Sequence, residues 1–67
     1  MKALNDAMNK LPENQRVAFS LSKYDELSSK EIAEVLSTSI SAVESLIHRA
    51  KKNLEKIIYN FYKKQMN

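Results

Sequence analysis

The sequence predicts an all-α fold: a small four-helix domain with a helix-turn-helix and a long last helix. Three observations carry that reading. The chain has 67 residues and contains no Gly, one Pro and no Cys. Without Gly, tight hairpins, bulges and phosphate-cradling loops lose their cheapest residue, so sandwiches and nucleotide-binding turns are poor fits. Apolar residues recur at spacings of three and four along most of the chain, the signature of amphipathic helices. No Cys means no disulfides and no thiolate metal sites, which fits a reducing compartment. The longest run of large apolar side chains is Ile57-Ile58-Tyr59, far short of a membrane span, and the N-terminus has no signal-peptide core. A catalytic cleft is not expected from so short a chain with one His.

The first helix is predicted over residues 2–10, where Leu4, Ala7, Met8 and Leu11 form one stripe. Pro12 stops it and suits the first turn of a second helix over 12–24, with Glu13 favourable beside the positive helix end. Val17, Leu21 and Tyr24 make one apolar side of that helix. Phe19 points almost oppositely, so the helix is either sandwiched or leaves Phe19 on a docking surface. Tyr24-Asp25-Glu26-Leu27 is a connection. Ser28 and Glu31 then form a capping box at the start of a third helix over 29–36, whose buried side is Ile32, Ala33, Val35 and Leu36. Ser37-Thr38-Ser39 is a tight break, and Ser39 is the expected N-cap of the fourth helix, with Ser41 and Glu44 as a competing cap. That helix runs over 40–63 on a stripe of Val43, Ile47, Ala50, Leu54, Ile57 and Phe61. The Gln65–Asn67 end is expected to fray.

A short helix, a three-residue break and a longer helix over Ser28–Leu54 is the layout of a helix-turn-helix without a wing. Ala33 must be small where the second helix of the pair crosses. Ser37 occupies the turn position usually given to Gly, so a left-handed backbone there costs about 1 kcal/mol. At about 100° per residue from Val43, the residues Ser41, Ser45, His48 and Lys52 fall on the face opposite the core, flanked by Arg49, Lys56 and Lys63. Small hydroxyls let a helix sit deep in a major groove, and basic side chains further along reach phosphates. Leu46 lies beside the core stripe and reads as packing, while Glu44 sits on the other shoulder. The charge agrees with this end as the binding end. Residues 1–45 carry five basic side chains against seven acidic, and residues 46–67 carry six basic against Glu55 alone. A solvated lysine-rich face explains the charge equally well.

Leu11-Pro12-Glu13-Asn14-Gln15-Arg16, Phe19, Leu27-Ser28, Glu31 to Leu36, and Ser41-Ala42-Val43-Glu44-Ser45 through His48-Arg49-Ala50-Lys51 resemble bacterial sigma factors. The similarity is to the C-terminal region-four domain of the extracytoplasmic-function group, over about residues 3–58. It implies a domain that binds the −35 promoter element through its last helix, docks on the β flap of RNA polymerase, and is a candidate for capture by an anti-sigma factor in the cytoplasm. Position by position, the DNA-reading set falls on Ser39, Ser41, Ala42, Ser45, His48, Arg49 and Lys52, with Lys30 as a phosphate contact. Many relatives carry Lys and Arg where this chain has Glu44 and Leu46, and Glu44 is either a base contact or a solvent-facing charge. The other sigma domain is not in the sequence, so the chain reads as a piece of a larger factor with Met1 an added start, and as a monomer.

No cofactor or metal is expected. A Glu44–His48 pair one turn apart is a surface contact far more often than half a metal site. Tyr59, Phe61 and Tyr62 read as packing in preference to base stacking. The four-three spacing of the last helix also fits a dimeric coiled coil, but it covers fewer than three heptads and is needed against the first two helices. Two other functions stay open. One is a response-regulator (LuxR-like) output domain. The other is a DNA-independent interaction module that uses Phe19, Leu46 and Tyr59.

Overall fold

A computed structural model describes residues 2–65 of the chain, with side-chain surroundings for residues 4–64. Four helices follow in order: α1 (Lys2–Asn9), α2 (Glu13–Lys23), α3 (Ser29–Leu36) and α4 (Ile40–Gln65). The expected frayed end, Met66 and Asn67, lies outside the described residues, and α4 continues to Gln65. α4 is the spine. α1, α2 and α3 all pack on it, and α2 also packs on α3. At 26 residues it is about 39 Å long, which accounts for the 44 Å long axis of a body only 19 and 15 Å across.

Pro12 stands one residue outside the second helix, not in its first turn. Its extended backbone (φ −54°, ψ 145°) makes it the cap residue, and its carbonyl accepts from the Arg16 amide at 3.0 Å. α2 buries a face different from the one expected. Ala18 is fully buried, with Leu21 on one shoulder and Phe19 on the other, each half-buried against a different cluster. On the helical wheel this sector is centred on Ala18, which leaves Tyr24 about 120° away. Tyr24 is accordingly 56% exposed. Phe19 is packed on one side and open on the other: it lies partly buried against the cluster that α1 and α4 share, and it lines an open groove with Leu4, Leu54, Ile58 and Tyr59.

Two apolar clusters result. One joins Ala7, Met8 and Leu11 to Ala50 and Leu54, with Leu4, Phe19, Ile57 and Ile58 partly buried around them. The other joins Ala18, Ile32, Ala33 and Val43, with Leu21, Leu27, Leu36, Leu46 and Ile47 around them. Val35, expected inside, is 61% exposed. The buried sector of α3 lies between Ile32 and Ala33, which keeps Leu36 on it and turns Val35 about 110° away. Across the middle of the molecule the Asn53 Nδ2 donates to Gln15 Oε1 at 2.8 Å, tying α4 to α2. Among the described residues no buried side-chain nitrogen or oxygen lacks a partner.

Candidate nucleic-acid interface

The helix pair α3–α4 is set by its ends. Ser28 Oγ accepts from the Glu31 amide at 3.1 Å, and the Ser28 amide donates to Glu31 Oε1 at 2.9 Å, so the capping box forms in full. The Ser28 amide first, and its hydroxyl second, hold the Glu31 carboxyl below the ordinary carboxylate value. At the other end of α3, Ser37 takes the left-handed conformation (φ 54°, ψ 48°). That reversal lets the Thr38 amide donate to the Ala33 carbonyl at 2.9 Å and closes the helix. Ser39 then caps α4, its Oγ accepting from the Ala42 amide at 3.0 Å. The competing cap at Ser41 and Glu44 is not used, since α4 opens at Ile40 and Ser41 lies inside its first turn. Glu26, in the connection before Ser28, is a second left-handed residue (φ 56°) that no sequence pattern marks.

With Ile32, Ala33 and Val43 buried between them, α3 and α4 are locked and the outer side of α4 is free. Ser39, Ser41, Glu44, Ser45, His48, Arg49 and Lys52 are all exposed, and Ala42 is half-buried at the edge. Lys30 is exposed in the first turn of α3. Ser41, Ser45, His48 and Lys52 share the face directly opposite Val43. They form a strip of small hydroxyls followed by an imidazole and an ammonium group. Glu44 sits apart from that strip. Together with His48 it lines a shallow depression against Ser22, Ser29, Ile47 and Lys51, toward the α2–α3 junction. Lys51, on the shoulder of α4, belongs to the run that carries the family resemblance but not to the expected DNA-contact set, and Ser22 and Ser29 come from the ends of neighbouring helices, where no local pattern marks them. Glu44 and His48 gain no third His, Cys, Asp or Glu among the described residues.

The far end of α4 departs from expectation. Phe61 lies on the same angular stripe as Val43 yet is 40% exposed, and Tyr59 and Tyr62 are exposed as well. The rings of Phe61 and Tyr62 meet edge to face at a centroid distance of 5.7 Å, and neither belongs to the two apolar clusters. α1 is eight residues long; the cluster it forms with α4 takes in Ile57 and Ile58, and only Lys10, just past its end, comes beside Phe61. Among the described residues, no helix is long and apolar enough to cross a membrane.

A search of curated proteins finds no match. The model of the family described as Sigma-70, region 4 matches residues 1–54, which takes in α1, α2, the helix-turn-helix and the first fifteen residues of α4. Match and fold agree: the chain belongs to the sigma-70 region 4 family, non-catalytic helix-turn-helix domains with which sigma factors bind DNA.

Proposed function

We propose that this domain reads the −35 promoter element for an alternative sigma factor of the extracytoplasmic-function group, while docked on the β flap of RNA polymerase. The observation that carries the reading is the strip on α4. Ser39, Ser41, Ala42 and Ser45 keep the first turns slim enough to approach base edges, and Arg49 and Lys52 follow where phosphates would lie. Lys30 adds a cation at the start of α3. A family match that includes α1 and the Leu11-Pro12-Glu13 lead-in favours this over a response-regulator output domain. For the polymerase contact we assign the apolar groove of Leu4, Phe19, Leu54, Ile58 and Tyr59, edged by Lys51 and Glu55. It opens beside the middle of α4, so both partners can be held together. Promoter binding would put the working protein in the cytoplasm, where an anti-sigma factor would compete for the same surfaces.

The test is a competition between promoter and scrambled duplexes at two salt concentrations. Lys52→Ala should weaken both duplexes alike and lower the salt slope by about one. Ser45→Ala should act mainly on the preference between them. Glu44→Lys decides between base contact and bare charge. If Glu44 accepts a hydrogen bond from cytosine, the substitution should cost the promoter complex about 1–3 kcal/mol while affinity for random DNA rises. If Glu44→Lys tightens both duplexes by one factor, Glu44 reads nothing. If no variant alters the preference, the reading face is misplaced.

A further inference from the structure

The first turn of α4 carries one exposed large apolar side chain, Ile40, which is 45% exposed. Its neighbours Ser39 and Ser41 are small and exposed, and Ala42 is half-buried. Ile40 belongs to neither apolar cluster. We propose that Ile40 reads a thymine, by packing against its C5-methyl group in the major groove. This assignment rests on α4 being the DNA-reading helix, and it adds to that helix a residue that discriminates between bases.

Three features support it. The first is direction. Helical side chains tilt toward the N-terminus and lie over the turn before their own. Ile40 is the first residue of α4, so no earlier turn lies beneath it and the tilt carries it toward the tip of the helix. The second is rigidity. The Ala42 amide donates to Ser39 Oγ at 3.0 Å and the Val43 amide donates to the Ser39 carbonyl at 3.1 Å, which fixes the turn around Ile40. A β-branched side chain in a helix keeps essentially one χ1 rotamer, so little freedom is lost on contact. The third is chemistry. An alkyl group set against the polar edge of a base strips away water and returns no hydrogen bond. The thymine methyl is the one apolar feature that base edges present in the major groove, and contact removes both it and Ile40 from water.

A packing role accounts for Ile40 less well. The side chains gathered around Ile32, Ala33 and Val43 include Leu36, Leu46 and Ile47, but not Ile40. Among the described residues the other exposed large aliphatic side chain is Val35, at 61%. It sits on α3, outside the reading strip, and serves as the control.

In the experiment the full 67-residue chain selects its preferred duplex from a random-sequence pool. Each thymine of that duplex is then replaced in turn by deoxyuridine, which lacks only the C5-methyl group, and affinities are measured. One position should lose about fourfold, the worth of one buried methyl group. Ile40→Ala should bind the thymine duplex more weakly and lose nothing further with uridine at that position. Ile40→Val should keep part of the dependence, and Val35→Ala all of it. Because Ile40 is exposed, the thermal midpoint of Ile40→Ala should stay where it is. An enriched site that lacks thymine, or tolerates uridine at every thymine, would overturn the proposal and leave the DNA reading intact. So would a uridine dependence that survives Ile40→Ala or vanishes with Val35→Ala, or a marked fall in the Ile40→Ala midpoint, which would make Ile40 a packing residue. A pool that yields no enriched sequence would overturn the DNA reading itself, and the proposal with it.

Discussion

The two halves of α4 have the same angular pattern and opposite fates. In the first half, α2 and α3 close over Val43 and Ile47, and apart from Ile40, which is 45% exposed at the helix start, the exposed side chains are small, polar or charged. In the second half, cover runs out after Ile57 and Ile58, and Tyr59, Phe61 and Tyr62 meet solvent. Periodicity dictates which face of a helix is apolar. It does not dictate how far the neighbours extend, and that second quantity decides whether an apolar face becomes core or contact surface.

Four substitutions test that contrast. Ile32→Ala empties a fully buried site beneath the first half, and should cost about 2–5 kcal/mol in chemical denaturation. A loss below about 1 kcal/mol would mean that α3 does not clamp α4. Ala33→Leu should cost about 1–3 kcal/mol by overpacking the crossing, and an unchanged thermal midpoint would place the close approach elsewhere. Ser37→Gly works in the other direction. Relief of the left-handed backbone should stabilise the protein by up to about 1 kcal/mol, reduced by the freedom Gly restores to the unfolded chain. Any destabilisation there would show that the Ser37 side chain contributes to the turn. Phe61→Ala should move stability by no more than about 0.5 kcal/mol, as for a surface position. A loss comparable to Ile32→Ala would put Phe61 in the core after all.

Where sequence and structure agree, the determinants are local. The Ser28–Glu31 box, the Ser39 cap and the strained Ser37 each follow from residues within one turn of each other. The same is true of the four-helix order and of the exposure of Ser41, Ser45, His48 and Lys52, which needs only the position of Val43 on a wheel. What the sequence did not disclose depends on pairs far apart in the chain. Val35 and Tyr24 are apolar enough to be assigned inward, but the neighbours that would cover them approach from another angle. Ala18, the most tightly enclosed residue of α2, escapes notice because Ala carries so weak an apolar signal. The depression holding Glu44 and His48 depends on where Ser22 and Ser29 come to rest, which is a matter of tertiary contact.

The hydrogen bond from Asn53 to Gln15 has a consequence for alignment. Apolar stripes on helices repeat nearly every turn, so α2 could slide along α4 by about 5.4 Å and still meet hydrophobic partners. A bond of 2.8 Å between two side-chain amides has no such tolerance. A slip of one turn would leave both amides half-buried and unmatched, at a cost of about 1–3 kcal/mol. The pair therefore acts as a pawl. It leaves the helices free to pack by hydrophobicity but admits one vernier setting, and that setting determines where the α2–α3 junction meets the outer face of α4.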